Sequence, residues 1–80
     1  LGDVYKRQVL KFGIPEGTKQ YTLLLKLPAE GKVTVSQLAA DGSEVTRTTA
    51  DKPFVRMDVA DQAVAIALEG PVEIFEILAR

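Results

Sequence analysis

The chain has 80 residues with ten basic and eleven acidic side chains, a formal net charge of −1, and neither cysteine nor histidine. This length supports one small domain, and charges scattered singly at a near-neutral balance exclude a basic nucleic-acid surface. The missing cysteine and histidine exclude disulfides, thiolate or imidazole catalysis and soft-metal sites, and no apolar run approaches the roughly 20 residues that cross a bilayer.

The first eight residues have a separate origin in our interpretation. Residues 3–8 read Asp-Val-Tyr-Lys-Arg-Gln, which is the in-frame translation of the mosaic-end adaptor used in transposase-based sequencing libraries. We therefore interpret residues 1–8 as an adaptor-derived scar that is not native, and leave them out of the fold argument. On this interpretation residues 9–80 form a single domain, which we expect to be the C-terminal part of a longer protein.

Apolar and polar residues alternate along most of the remaining chain, and turn residues interrupt the alternation at regular intervals. This pattern predicts strands, because successive side chains of a strand point to opposite faces of its sheet. The predicted strands span residues 9–14, 20–27, 32–38, 44–49, 54–59, 62–68 and 72–78. We predict an all-β fold, a small antiparallel β-sandwich of about seven strands that is immunoglobulin-like or jelly-roll-like.

Turn chemistry separates these segments. Proline and glycine predict turns at residues 15–18 and 28–31, and Asp41-Gly42 predicts a hairpin between the third and fourth strands. The segment 62–68 has a helix as its rival, because alanine is the best helix former. Its strict alternation and its β-branched residues favour a strand.

Three segments carry individual predictions. Val33 and Val35 face the core, and Leu38 has the opposite parity, so a bulge near residues 36–37 would return Leu38 to the core. The fourth segment is polar enough to be placed at a sheet edge. The segment 72–78 is apolar on both faces, which predicts a central strand or a strand whose second face another part of the protein covers.

Part of the chain resembles a known group of modules. Residues 12–23 read Phe-Gly-Ile-Pro-Glu-Gly-Thr-Lys-Gln-Tyr-Thr-Leu, and residues 32–42 begin Lys-Val-Thr-Val and end Ala-Asp-Gly. This order resembles the small β-sandwich modules of the bacterial pre-peptidase C-terminal type, over about residues 10–45. The stretch Val-Glu-Ile-Phe-Glu-Ile is similar to the last strand of galactose-binding-like jelly rolls, with Phe75 where the first group often has tyrosine. Both resemblances imply a non-catalytic accessory domain of a secreted hydrolase.

The acidic residues do not predict a catalytic or calcium site. Asp58 and Asp61 flank a predicted turn, yet calcium requires about six to eight converging oxygens and no Asp-x-Asp-x-Asp run is present. Glu73 and Glu76 are three positions apart on a predicted strand, so we expect them on opposite faces, where they could not form a glycosidase pair. We predict no catalytic residue, no metal site and no cofactor, and a chain that is not an enzyme.

Three residues are candidates for contact with a ligand or partner. Tyr21 is the best-placed ring for binding a sugar, because the chain has no tryptophan. Arg47 and Thr48 lie in the polar stretch 46–49, which could hydrogen-bond a ligand or add a partner strand, and which equally suits a protected edge. Core packing explains all four rings outside residues 1–8, Tyr21 included; the other three are Phe12, Phe54 and Phe75.

These observations predict a non-catalytic accessory β-sandwich module with a structural or domain-packing role in a larger, exported bacterial hydrolase, outside the cell or in the periplasm. Its partner would be the parent catalytic domain in cis, met through a flat apolar patch formed by Leu24 and the second face of residues 72–78. The alternative is a carbohydrate- or surface-binding module, which would expose a cluster of rings or amides in a groove. A stand-alone enzyme is a third reading, and neither nucleic acid nor membrane insertion is expected.

Overall fold

The computed structural model describes residues 9–14 and 20–79, and the predictions made for residues 1–8 and for the turn at 15–18 lie outside them. All regular structure in the described part is β-strand. The strands are β1 (Val9–Gly13), β2 (Tyr21–Lys26), β3 (Val33–Leu38), β4 (Glu44–Ala50), β5 (Phe54–Asp58), β6 (Ala65–Glu69) and β7 (Ile74–Ala79). The predicted all-β fold is confirmed, and the alanine-rich segment contributes a strand.

The strands form two antiparallel sheets. The four-stranded sheet has the order β1-β6-β3-β4, and the three-stranded sheet has the order β5-β2-β7. Only β3 and β4 are joined as a hairpin within one sheet, across the predicted Asp41-Gly42 turn. Every other connection between successive described strands passes from one sheet to the other, so the chain crosses repeatedly between the two sheets.

The core lies between the sheets and follows the predicted alternation. Leu23 and Leu25 of β2 face Val33 and Val35 of β3 and the apolar side of β6 across this space. Full burial of one such side chain stabilises the fold by about 1.5–3 kcal/mol. The buried apolar residues are Leu23, Leu25, Leu27, Val33, Val35, Val59, Ala63, Ile66 and Leu68.

The irregularity predicted in β3 lies in its neighbour instead. The register of the β3–β4 pair shifts between Gln37 and Leu38, and the additional residue is Val45 of β4. Pairing of β3 with β6 continues without a shift. Leu38 therefore keeps its outward parity, and the prediction that a bulge near residues 36–37 returns it to the core is wrong. The bulge falls in β4 because an edge strand has one ladder to disrupt and β3 has two.

A glutamine consequently occupies a core position. Gln37 has the parity of the buried valines of β3 and is itself buried. Its Oε1 accepts a hydrogen bond from the backbone N–H of Ala60 over 2.7 Å, and its Nε2 donates one to the carbonyl oxygen of Asp58 over 3.0 Å. The buried amide is therefore satisfied by backbone groups at the last residue of β5 and just after it, in the opposite sheet.

Of the two predictions about strand position in the sheets, the one for β4 is confirmed. The polar strand β4 lies at the edge of the four-stranded sheet, as predicted. The apolar strand β7 also lies at an edge, so its prediction as a central strand is wrong. The other explanation for its two apolar faces, that a further part of the protein covers one of them, stays a prediction.

Candidate docking face

The three-stranded sheet presents one side to the core and the other to solvent. We call the solvent side the outer face; it consists of the residues of β5, β2 and β7 that alternate with the core residues. The strand register arranges them in three rows, each with one residue from every strand. The rows are Phe54, Lys26 and Ile74; then Arg56, Leu24 and Glu76; then Asp58, Thr22 and Leu78.

Large apolar side chains lie exposed on this face. Phe54 is 73% exposed, Ile74 is 60% exposed and Leu78 is 42% exposed, and the half-buried Leu24 lies between them on β2. Exposed apolar surface is typical of an interaction site. Here Lys26 lies between Phe54 and Ile74 in the register. The predicted patch of Leu24 and the second face of residues 72–78 is interrupted by Glu76, and Phe54 lies at its margin.

A groove runs over β2 at one end of the outer face. Its volume is about 300 Å³, and its walls come from all three strands of the sheet. The lining residues are Thr22, Leu24, Arg56, Leu78 and Ala79. The groove is thus mainly aliphatic and carries one hydroxyl and one guanidinium, a lining with the few polar groups that give a binding site its selectivity.

The hydroxyl in this groove lacks a partner. Thr22 is only 3% exposed, and its Oγ1 makes no hydrogen bond with any group of the described residues. Buried hydroxyls in native proteins are nearly always hydrogen-bonded, and leaving one unsatisfied costs about 1–3 kcal/mol. The residues that the structure describes thus leave this buried hydroxyl without a partner.

The charges at the other end of the outer face neutralise each other. The Nζ of Lys26 is ion-paired with the carboxylate of Glu73, which lies in the bend before β7. Glu73 thus reaches the outer face, where Glu76 also lies by register. The expectation that these two carboxylates lie on opposite faces is wrong, because Glu73 precedes the strand and strand parity does not govern it.

The guanidinium in the groove, by contrast, has no ionic partner within the described residues. The ion pairs there involve Lys26 and Arg47, and none involves Arg56. Arg56 is exposed and lies beside Leu24 in the register. Among the described residues, the groove therefore combines an aliphatic floor with a guanidinium that forms no ion pair and a buried hydroxyl, and Asp58 and Glu76 lie on the same face.

The candidate contact residues predicted from sequence lie apart from this groove and from one another. Tyr21 has the core parity of β2, packs against the core cluster, and accepts a hydrogen bond on its backbone carbonyl from Val59. Arg47 and Thr48 lie on β4 in the other sheet and point to opposite faces of it. Arg47 is ion-paired with Glu44 over 3.2 Å. The three candidates are therefore spread over two sheets and share no face.

The aromatic residues follow the predicted core placement only in part. Phe54, expected in the core, is the most exposed of the large apolar side chains on the outer face. Phe75 has core parity beside Leu25 but is 40% exposed at the edge of the sheet. The two rings belong to opposite faces of the sheet, so they do not form a side-by-side platform. The side chain of Phe12 lies outside what the structure describes.

Residues 9–14 and 20–79 contain no group of three or more acidic side chains placed to hold a metal ion. No helix in this part of the chain has the length and apolar character required to span a membrane. No protein-family model matches the chain, and neither a curated protein nor a solved structure is similar to it. The outer face is therefore the feature from which a function can be argued.

The sequence pattern predicts Leu24 and the strand that holds Leu78 as part of this face, but it does not single out Thr22 or Arg56. Strand alternation in the sequence predicts that Arg56 points outward, because it lies between the inward-facing Val55 and Met57. The sequence does not contain the strand order, and that order brings Arg56 of β5 and Leu78 of β7 to the two sides of β2.

Proposed function

We propose that this chain is a non-catalytic accessory β-sandwich module with a domain-packing role in a larger, exported bacterial hydrolase. The outer face is the surface through which it packs against a neighbouring domain of the same polypeptide. The observation that carries the proposal is the exposure of Phe54, Ile74 and Leu78 on one continuous face. The exported hydrolase as parent comes from the resemblance of residues 10–45 to appended β-sandwich modules.

The size of the outer face favours a covalently linked partner. Three strands about 4.8 Å apart, each giving about five residues at 3.3 Å, span roughly 15 by 17 Å. A stable complex between separate proteins buries about 800 Å² on each partner, which is more than such a face supplies. Domains of one polypeptide hold each other at high effective concentration, so a smaller interface is sufficient.

The alternative function, binding of a carbohydrate or a surface, has less support from the described residues. Sugar-binding faces use planar rings exposed side by side. The outer face has a single ring, Phe54, which lies on an edge strand beside Lys26, and its row ends in the aliphatic Ile74. Such a face matches an apolar interface better than a sugar platform.

Hydroxyl-radical footprinting tests the packing role. The chain is labelled alone and as part of the longer polypeptide that this proposal requires, and oxidation is quantified by mass spectrometry. We expect oxidation of Phe54, Ile74 and Leu78 to fall severalfold in the longer polypeptide, because a docked domain removes them from water. Val64 is the matched control, since it is 48% exposed but lies outside the outer face, before β6.

Two outcomes decide against the packing role. Oxidation of Phe54 that is unchanged in the longer polypeptide would show that nothing covers the outer face. Binding of oligosaccharides to the isolated chain, with loss of binding in Phe54→Ser and retention in Val64→Ser, would establish the carbohydrate-binding alternative instead.

A further inference from the structure

We propose that the outer face also binds a second copy of this chain, in a symmetric dimer that forms where no neighbouring domain covers the face. The two-fold axis of this dimer runs along β2, midway between the two facing sheets. Arg56 of each copy then lies over Glu76 of the other. The dimer goes beyond the proposed function, because it concerns the chain on its own, and the two uses of the face exclude each other in one molecule.

The order of the three-stranded sheet determines which residues meet in such a dimer. β5 and β7 lie on the two sides of β2. Rotation about an axis along β2 therefore keeps each row at its level and exchanges the two edge strands, so that β5 of one copy lies over β7 of the other. The strands of the two sheets stay aligned, as in the common face-to-face packing of sheets about 10 Å apart.

The charges of the central row are complementary under this axis. The row consists of Arg56, Leu24 and Glu76, and Leu24 lies on the axis. Neither Arg56 nor Glu76 forms an ion pair among the described residues, and both are exposed. A planar guanidinium matches a carboxylate, so the dimer gains this pair twice, one on each side of the two leucines.

The first row adds apolar contact to these charge pairs. Phe54 of each copy lies over Ile74 of the other, and these are the most exposed large apolar side chains of the described residues, at 73% and 60%. Lys26 lies on the axis over Lys26 of the other copy, but each is ion-paired with its own Glu73, so the four groups carry no net charge. In the third row Asp58 meets an aliphatic side chain and adds no complementary pair.

The second axis that brings two outer faces together is unfavourable. It runs through Leu24, perpendicular to the strands. Such an axis places Arg56 over Arg56 and Glu76 over Glu76 of the other copy, which is repulsive. It also places Phe54 over Asp58, a ring over a carboxylate. The charges of the face therefore select the axis along β2.

The size of the face determines how strongly two copies associate. A face of roughly 15 by 17 Å is smaller than a stable interface between separate proteins requires. We therefore expect a dimer in rapid exchange with the monomer, populated at high concentration and lost on dilution. A neighbouring domain of the same polypeptide acts at a higher effective concentration and displaces the second copy.

Dilution of the ¹⁵N-labelled chain tests the dimer. Amide signals are recorded by NMR from about 1 mM to about 10 µM, the range in which an interface of less than standard size dissociates, and sedimentation velocity gives the mass. We expect the signals of Leu24, Arg56 and Glu76 to shift with concentration, and the mass to rise towards that of two copies. A monomer at the highest concentration, or shifts confined to the four-stranded sheet, overturns the inference.

Reversal of charge tests the pair of Arg56 with Glu76. Arg56→Glu and Glu76→Arg each turn two attractions into two repulsions, so we expect either variant to weaken self-association about tenfold or more. An equimolar mixture of the two variants restores both attractions and is expected to form mixed dimers. The matched controls are Lys11→Glu and Glu69→Arg, exposed positions of the other sheet that should leave self-association unchanged. Self-association that survives Arg56→Glu, or variants that stay monomeric when mixed, contradicts the pair.

A spin label distinguishes the two axes. The chain has no cysteine, so Lys52→Cys, at an exposed position before β5, takes a single nitroxide. In a mixture with ¹⁵N-labelled chain, the nitroxide should broaden the amide signals of Glu73 and Ile74, because the axis along β2 places the start of β5 over the start of β7. Broadening of Asp58 instead would indicate the perpendicular axis and overturn the inference. Footprinting of the longer polypeptide at concentrations where the chain is a monomer keeps the test of the packing role separate.

Discussion

The side chain of Gln37 and the backbone of Ala60 are joined by a hydrogen bond of 2.7 Å across the two sheets. The same amide donates to the carbonyl oxygen of Asp58 over 3.0 Å. One buried side chain of β3 thereby holds the segment where the chain leaves β5. This segment also contributes the backbone N–H of Val59, which is bonded to the carbonyl of Tyr21 at the start of β2. Gln37 therefore fixes the end of the sheet that carries the groove.

Replacing this amide by an apolar group of similar size is expected to destabilise the fold. Gln37→Leu removes the acceptor for the Ala60 N–H and the donor for the Asp58 carbonyl, so two hydrogen bonds between β3 and the end of β5 are lost. We expect the free energy of unfolding to fall by about 1–3 kcal/mol, measured by urea denaturation, since one hydrogen bond contributes about 0.5–1.5 kcal/mol. Ser36→Ala at the neighbouring outward position should change it by less than about 0.5 kcal/mol. If Gln37→Leu leaves the free energy of unfolding unchanged, water replaces the amide as hydrogen-bond partner.

The fold class was predictable here because period-two alternation is a local property of the sequence. The edge position of β4 was also predictable, since polar residues such as Thr46 and Thr48 are tolerated where no second sheet covers them. The sheet order was not, because pairs such as Leu24 with Arg56 and with Glu76 join residues distant in sequence. Gln37 was missed because its parity was judged by polarity and not by its alternation with Val35.

This difference explains why the predicted contact residues and the candidate site do not coincide. Tyr21, Arg47 and Thr48 were selected by residue type, the only criterion available before the strands are assembled. The groove around Thr22 depends on β5 and β7 lying on the two sides of β2, and on a hydroxyl left without a partner. Neither property is encoded in any short stretch of the chain.

The glycine that ends β6 is expected to resist substitution. Gly70 has φ of +127°, which L residues rarely adopt, and a Cβ there would overlap the carbonyl oxygen of Lys32. We expect Gly70→Ala to lower the free energy of unfolding by about 3 kcal/mol or more, from backbone strain together with the steric overlap. Gly42→Ala is the control, because Gly42 also has positive φ but has open space around it, so only about 1–2 kcal/mol is lost. Equal losses of stability in the Gly70→Ala and Gly42→Ala variants would contradict the role of the Lys32 contact.

We expect the stability that the β3–β4 turn contributes to decrease at acidic pH. Hydrogen bonds from the Ser43 hydroxyl, over 2.6 Å, and from the Ser43 N–H, over 2.9 Å, hold the pKa of Asp41 below its ordinary value. A lowered pKa in the folded state contributes stability above the unfolded-state pKa, and this is lost as the pH falls through the folded-state value. We expect Ser43→Ala to raise the pKa of Asp41, measured by ¹³C NMR titration. Ser36→Ala removes a hydroxyl that is hydrogen-bonded to Glu44, and it should leave the pKa of Asp41 unchanged.

The unpartnered hydroxyl of Thr22 predicts a gain in stability when it is removed from the isolated chain. Thr22→Val keeps the β-branched shape and eliminates a buried oxygen that makes no hydrogen bond within the described residues. We expect the free energy of unfolding to rise by about 1–2 kcal/mol in urea denaturation, because the desolvation cost of the hydroxyl disappears. Thr34→Val serves as the control for the general effect of this substitution, since the Thr34 hydroxyl is half-buried and lies 3.4 Å from that of Thr49. If the free energy of unfolding rises no more in Thr22→Val than in Thr34→Val, water already hydrogen-bonds the Thr22 hydroxyl.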